Sequence, residues 1–258
     1  MTPDDREPLP VRTIGFTRPL TWLAQGWRDF GRAFGPSLLH GFIVMMGGLA
    51  ILTVALHAWP ILPGAFSGFV LMGPILATGL YELSRRLALR EHPRLAHAIG
   101  AWRRGTRSLV WLGLWLAIAA TLWVALSVVL VWNFVDAPVA SLDDFLRHFV
   151  VMSRWWVFPL WVLAGALGAA VVFAATAVSV PLLLDRRIPL RRAILTSVRA
   201  VGENPGAMAL WAALIMAAIA LSLLTMMAGF AFAVPVIGHA TWHAYRDLVD
   251  TDGVPPRQ

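Results

Sequence analysis

The chain has 258 residues, of which 59% are hydrophobic and only 14% are charged. A water-soluble domain of this length needs charged side chains over its whole surface, so this composition excludes an ordinary soluble protein and indicates a membrane protein. Cysteine and lysine are absent. Their absence excludes disulfides, cysteine nucleophiles, lysine-dependent phosphate loops and Schiff bases.

The N-terminal region is predicted to be a disordered cytoplasmic tail over residues 1–19, followed by an amphipathic helix. In this helix apolar residues recur with the helical period on one side; they are Leu20, Leu23, Trp27, Phe30 and Phe34. Arg28, Asp29 and Arg32 fall on the other side. This pattern is typical of a helix that lies in the membrane interface.

Four stretches contain no Asp, Glu, Lys or Arg: residues 33–81, 108–135, 155–184 and 204–245. Each exceeds the roughly 20 apolar residues that cross a bilayer. Proline and glycine near 59–64, and the segment 226–229, divide the first and last stretches into two crossings each. The predicted spans are 36–58, 61–81, 108–134, 155–184, 206–225 and 230–245. The predicted fold class is therefore all-α, a six-span transmembrane bundle forming one membrane domain over residues 20–248, with a cytoplasmic tail over 249–258.

The arginines predict the orientation of these spans. Nineteen of the 21 arginines lie in the two terminal segments and in the loops 82–107 and 185–203, and two lie on the opposite side. The positive-inside rule then places both termini in the cytoplasm of a bacterial inner membrane. Trp22, Trp27, Trp102 and Trp242 are expected at the inner interface, whereas Trp115, Trp123 and Trp161 are expected in the bundle core.

The amphipathic pattern of residues 20–34 occurs twice more, at residues 94–104 and 190–201. Each instance precedes two spans, and the second span of each pair carries a proline: Pro74, Pro181 or Pro235. This arrangement suggests three two-span repeats. The alternative, that any protein built of helical hairpins shows such patterns, stays open.

Three motifs carry a resemblance to a known family. They are Gly73-Pro74 with the Leu-Tyr-Glu-Leu-Ser-Arg-Arg stretch at 80–86, the Val-Pro-Leu-Leu-Leu-Asp-Arg stretch at 180–186, and the segment 238–248 containing His239 and His243. Over roughly residues 15 to 250 the chain resembles an uncharacterised bacterial integral-membrane family, domain of unknown function 2189. The resemblance implies a bacterial inner-membrane protein and supplies no activity.

Polar residues gather at the predicted cytoplasmic ends of the proline-bearing spans; they are Tyr81, Glu82, Asp185, His239, His243 and Tyr245. The two histidines are four residues apart and share a helix face, where a metal with a carboxylate ligand is one alternative. The favoured interpretation is structural: these groups form hydrogen bonds that hold the cytoplasmic ends of the helices together. No cofactor and no metal are expected.

No charged residue lies near the middle of a predicted span, and no metalloprotease, hydrolase or dinucleotide motif occurs, so the chain is not predicted to be an enzyme. The predicted function is a non-catalytic scaffold, an accessory or assembly subunit, or a lipid-interacting component.

Its expected partners are anionic lipids rather than nucleic acid; a protein partner or a homo-oligomer stays open. The arginines expected at headgroups are Arg28, Arg32, Arg103, Arg104, Arg191 and Arg192. The alternative function is a small transporter or channel with a binding site near Pro74, Pro181 and Pro235.

Overall fold

The computed structural model describes residues 7–55, 62–103, 107–135, 141–151 and 153–257. Within these ranges every regular element is helical. The first seven helices are α1 (Arg18–Arg32), α2 (Phe34–Ala55), α3 (Leu62–Leu71), α4 (Gly73–Leu76), α5 (Thr78–Ala88), α6 (Leu95–Arg103) and α7 (Arg107–Phe134). A single turn, α8 (Leu142–Asp144), leads into a π-helical segment, Phe145–Val151. The last five are α9 (Val157–Thr176), α10 (Ser179–Asp185), α11 (Leu190–Glu203), α12 (Pro205–Leu224) and α13 (Phe230–Leu248).

Four stretches of the described chain are long and apolar enough to cross a membrane: Phe34–Thr53, Arg107–Phe134, Val157–Asp185 and Pro205–Leu224. They correspond to four of the six predicted spans. Only 28% of the apolar window of Arg107–Phe134 is buried, and Trp115 on this helix is 62% exposed. The prediction that Trp115 fills the core was therefore wrong. A helix that shows large apolar side chains around most of its surface needs a lipid environment.

The other two predicted spans are not continuous apolar helices. Segment 61–81 is interrupted at Met72 and Ala77, which separate α3, α4 and α5, because Pro74 cannot donate a backbone hydrogen bond. The helix predicted over 230–245 exists as α13, which also contains Arg246 and Asp247. Its second half is polar, so its apolar part is shorter than that of the four stretches above.

The tight turn predicted at 226–229 is present between α12 and α13. Met226 and Met227 adopt the left-handed conformation, with φ of 52° and 69°, which is costly for residues other than glycine. The Met227 N–H bonds to the Ser222 carbonyl at 2.8 Å, and the Thr225 hydroxyl accepts the Gly229 N–H at 2.9 Å. These bonds offset part of the strain by satisfying groups at the helix ends.

The chain divides into two compact units. Unit 1 comprises residues 1–45, 74–112 and 173–258. In it, α5, α10 and α13 each pack against the other two, and each is packed by one amphipathic helix: α6 on α5, α11 on α10 and α1 on α13. The junction of α5, α10 and α13 is filled by side chains with no exposed surface, among them Leu80, Leu183 and Ala240.

Both terminal segments belong to the packed structure of unit 1. Residues 7–17, predicted to lie in a disordered tail, are instead hydrogen-bonded: the Leu9 N–H donates to Thr196 Oγ1 at 2.9 Å and the Ile14 N–H donates to Asn204 Oδ1 at 2.8 Å. The C-terminal segment bonds back as well, since the Arg257 N–H donates to the Asp185 carbonyl at 2.8 Å. These segments are ordered because their backbone N–H groups donate to acceptors on α10 and α11 and in the loop after α11. A local sequence pattern does not predict these distant partners.

Unit 2 comprises residues 46–73 and 113–172. In it, α3 approaches α7 closely at Gly64 and Gly68, where a Cβ would lie 3.0 Å from Val124 and 3.4 Å from Ala120. Small residues let apolar helices come together in a membrane in this way. Trp123 and Trp161, which were expected in the core, are partly buried and pack against each other, with ring centroids 5.6 Å apart.

Candidate functional site

The candidate site is built around α13, where small residues allow three helices to approach. A Cβ on Gly26 of α1 would lie 2.5 Å from the Val236 carbonyl oxygen, and a Cβ on Gly238 would lie 2.6 Å from Leu80 of α5. Neither position has room for a side chain. These contacts bring polar residues of α1, α2, α5 and α13 into one buried cluster.

That cluster is a chain of five hydrogen-bonded side chains. Ser37 Oγ lies 2.9 Å from His239 Nε2, and His239 Nδ1 lies 2.7 Å from Ser84 Oγ. Ser84 Oγ donates to Asp29 Oδ2 at 2.8 Å, and His243 Nε2 lies 2.8 Å from the same Asp29 oxygen. We call Ser37, His239, Ser84, Asp29 and His243 the polar chain; all except His243 are buried.

The direction of each hydrogen bond follows from the carboxylate at one end. Because the Ser84 hydroxyl donates to Asp29, its oxygen must accept from His239 Nδ1–H, and His239 Nε2 then accepts from Ser37. His243 Nε2–H is the second donor to Asp29. Burial alone would raise the pKa of Asp29, but the hydrogen bonds from His243 and Ser84 outweigh burial and hold that pKa below its usual value.

This order of groups differs from that of a nucleophilic triad. In a triad the histidine lies between carboxylate and hydroxyl, so that it can take the hydroxyl proton. Here Ser84 lies between Asp29 and His239, and Ser84 is 1% exposed. The polar chain therefore joins α1, α2, α5 and α13 rather than presenting a nucleophile.

A second cluster surrounds Asp185 at the end of α10. Tyr245 Oη donates to Asp185 Oδ2 at 2.7 Å, and Arg186 Nε donates to the same oxygen at 3.0 Å. Arg246 lies 3.6 Å away from it. The predicted site residues Asp185 and Tyr245 are thus in direct contact, and they tie α10 to α13.

Glu82 forms a third cluster within α5. Arg85 Nε and Arg86 Nε donate to its two carboxylate oxygens at 2.7 and 2.8 Å. Burial is the largest influence on the pKa of Glu82 and would raise it, but the two guanidinium groups together hold it below its usual value. Tyr81, one residue earlier, is buried beside Thr241 of α13.

Asp247 anchors the first helix to the last. Arg18 Nε donates to Asp247 Oδ2 at 2.6 Å and Trp22 Nε1 donates to the same oxygen at 2.8 Å. Trp22 and Trp242 are almost completely buried, so both pack inside the protein rather than on its surface. Trp27, by contrast, is exposed.

The structure therefore distributes the predicted cluster over three places. Asp185 and Tyr245 are together, His239 and His243 are linked through Ser84 and Asp29, and Glu82 is paired with its own helix's arginines. Both ring nitrogens of His239 bond to serines, so a metal shared with His243 would have to displace one of them. No cluster of metal-ligating side chains occurs in the described part of the chain.

Sequence reasoning missed Asp29, Ser37 and Ser84. Asp29 was assigned to the polar side of an amphipathic helix, and hydroxyl groups are too common near helix ends to be singled out. One signal was present: Asp29 is the only carboxylate among residues 8–81. Such a lone carboxylate on a helix that leads into a span is a candidate for a buried pair.

The six predicted headgroup arginines also differ in environment. Arg28, Arg32 and Arg191 are exposed, whereas Arg192 Nε donates to the Glu7 carbonyl at 2.9 Å. Arg104 and the side chain of Arg103 lie outside the described residues.

Comparison with known proteins tests the resemblance. A family model described as predicted integral membrane protein (DUF2189) matches residues 61–185. The prediction of the family is confirmed, although the match is narrower than expected: it contains the motifs at 73–86 and 180–186, and the motif at 238–248 lies beyond it. No curated protein and no solved structure matches the chain.

Proposed function

We propose that this DUF2189-containing chain is a non-catalytic membrane scaffold with six spans, located in a bacterial inner membrane with both termini in the cytoplasm. The observation that carries the proposal is the closed junction of α5, α10 and α13. Leu80, Leu183 and Ala240 fill it, and the buried carboxyl groups around it are hydrogen-bonded. A platform of this kind holds other molecules by its surface rather than by an internal binding site.

The packing order in unit 1 supports three repeats. Helices α6 and α11 each pack on the helix that precedes them, α5 and α10. Pro181 lies within α10, whereas Pro74 lies in α4, directly before α5. α1, the first helix among the described residues, packs on α13, which carries Pro235. A triplicated chain whose third unit closes onto its first would produce this order.

A second candidate function, a transporter, is favoured by the interruptions at Ala77 and Val178. Broken helices at membrane depth are typical of transporter binding sites. In this protein the carbonyl of Leu76, which precedes the first interruption, lies 2.7 Å from His40 Nε2. The carbonyl at this helix end therefore already has a hydrogen-bond donor within the protein. It does not need a substrate to supply one, which favours the scaffold over the transporter.

A distance measurement separates the two functions. Because the chain contains no cysteine, Leu39→Cys and Leu223→Cys, at exposed positions of unit 1, can carry a specific pair of spin labels in reconstituted full-length protein. For a scaffold we expect one narrow distance distribution that is unchanged by proton or sodium gradients. Two populations whose ratio follows a gradient would establish the transporter and end the scaffold proposal.

Reporter fusions test the topology independently. Alkaline phosphatase fused after Asp143 should be active, whereas fusions after Arg90, Arg192 and Asp252 should be inactive. Activity of the Arg192 fusion would contradict the six-span arrangement, because it would place the 185–203 loop on the outer side.

A further inference from the structure

Helix α1 has two faces with different environments. Its inward face is fixed by Trp22 and Asp29, whose side chains bond to Asp247 and His243 of α13 at 2.8 Å each. Trp22 also packs edge-on against Trp211, with ring centroids 5.8 Å apart. These contacts prevent α1 from rotating about its axis, so the direction of its outward face is determined.

The outward face is apolar. Leu20 and Trp27 of α1 are spaced by seven residues, close to two helical turns, and therefore lie on one line, which is followed by Phe34, the first residue of α2. They are 50%, 60% and 52% exposed. Side chains of this size are rarely left uncovered together on a protein surface, so the line is a contact surface.

The bilayer is the occupant that this surface fits, because the surface continues into a membrane helix. α2 begins at Phe34, directly after α1, and is one of the helices able to cross the membrane. Its exposed residues Phe42 and Ile43 extend the apolar surface. A protein partner that covered α1 would have to end where the lipid surface of α2 begins, whereas a bilayer covers both.

The exposed charges of α1 are positive. Arg28 and Arg32 are one turn apart, lie on the flank of the helix between the apolar line and the inward face, and are exposed. The helix's carboxylate, Asp29, faces inward and bonds to Ser84 and His243. Arg18 is paired with Asp247. The outward charge is therefore that of Arg28 and Arg32, which complements acidic headgroups.

We propose that α1 is a binding site for acidic glycerophospholipid in the membrane leaflet, with Leu20, Trp27 and Phe34 among the acyl chains and Arg28 and Arg32 at the headgroups. This inference rests on the proposed function, since it names the partner that the scaffold holds. It also explains why α1 is fastened to α13 by buried hydrogen bonds. A lipid-binding surface keeps its orientation only if the opposite face is fixed.

The chain provides a matched control. Arg199 is also an exposed arginine on an amphipathic helix of unit 1, but its Nε donates to Glu203 Oε1 at 2.6 Å. Its charge is compensated within α11. Arg199→Gln thus removes the same chemical group without removing an uncompensated charge.

The experiment measures binding of phosphatidylglycerol to the purified full-length protein in mild detergent by native mass spectrometry. At about 1 kcal/mol for each arginine beside anionic lipid, Arg28→Gln/Arg32→Gln should lower the apparent affinity roughly 30-fold. Arg199→Gln should leave it within about twofold. Equal affinity in all three proteins would overturn the proposal.

A second measurement tests the apolar half of the site. A fluorophore on Trp27→Cys, in nanodiscs containing phosphatidylglycerol, should be shielded from iodide and quenched by brominated lipid. Iodide-accessible label would show that α1 projects into water and would overturn the proposal. The spin-label distances measure the rigidity of unit 1 and do not depend on lipid charge, so failure of the lipid site and failure of the scaffold can be told apart.

Discussion

The two compact units hold their helices together by different means. In unit 1, buried charged or titratable side chains bond across helices, as in Asp29 with His243 and Asp185 with Tyr245. In unit 2 the polar contacts described between helices are neutral: Trp123 Nε1 donates to Ser67, and Trp161 Nε1 donates to Ser127 at 2.9 Å. A buried charge is costly unless it is paired, and each of these two buried carboxylates has a partner on another helix.

This difference predicts that removing one hydrogen-bonding side chain lowers the free energy of unfolding more in unit 1 than in unit 2. Removing one partner of a buried charged pair leaves the other partner unsatisfied. Removing one partner of a neutral hydrogen bond within the membrane costs less, because these polar groups also find hydrogen-bond partners in the unfolded state. The predictions below test this ranking, from the largest expected effect to the smallest.

Asp29→Ala should have the largest effect. The change removes the acceptor of two hydrogen bonds and leaves Ser84 and His243 without their partner, which costs about 3 to 5 kcal/mol for a buried charged group. Thermal unfolding in detergent measures it. Asp143→Ala is the control, since Asp143 pairs with Arg147 at an exposed site where such a pair contributes at most about 1 kcal/mol. Equal losses of stability in the two variants would show that the buried pair contributes no more than the exposed pair.

His243→Ala should have an intermediate effect. It removes one of the two donors to Asp29, and leaving a buried polar partner short of a hydrogen bond costs about 1 to 3 kcal/mol. His92→Ala, at an exposed position, should leave the melting temperature unchanged. Stoichiometric zinc or iron that is lost in a His239→Ala/His243→Ala variant would replace this structural role with a metal site.

The polar chain also predicts a pH dependence. The folded pKa of Asp29 lies below its usual value, so its contribution to stability is complete above the unfolded pKa and is lost as pH falls through the folded pKa. Below about pH 4 the wild-type protein should therefore lose stability faster than Asp29→Asn. Melting temperatures across acidic buffers compare the two proteins. Parallel curves would mean that folding does not lower the pKa of Asp29.

Ser127→Ala should have the smallest effect. It removes the acceptor of the Trp161 indole in unit 2, and hydrogen bonds between membrane helices contribute about 0.6 kcal/mol on average. The measurement is the same thermal unfolding, with Thr121→Ala as control, because the Thr121 hydroxyl bonds only to the carbonyl of Ala117 in its own helix. A loss as large as that of Asp29→Ala would show that unit 2 depends on its polar contacts as much as unit 1 does.

Composition and the spacing of charges determined a large part of this protein. The charge-free stretches predicted an all-helical membrane protein, and they located four helices that the structure has at the same places, such as α7 and α12. The motifs at 73–86 and 180–186 identified the family. These predictions succeed because crossing a bilayer imposes a length and an apolar composition on each segment by itself.

Tertiary structure alone decided which polar residues meet. Asp29 and His243 are 214 residues apart in the chain, and their contact depends on Gly26 and Gly238 letting α1 and α5 approach α13. The ordered conformation of residues 7–17 likewise depends on hydrogen-bond acceptors that lie almost 190 residues away in the chain, such as Thr196. A helix's amphipathic pattern shows that it has two faces, but a buried carboxylate and an exposed one look alike in sequence. Only the packing of other helices against that face determines whether water or a histidine satisfies the charge.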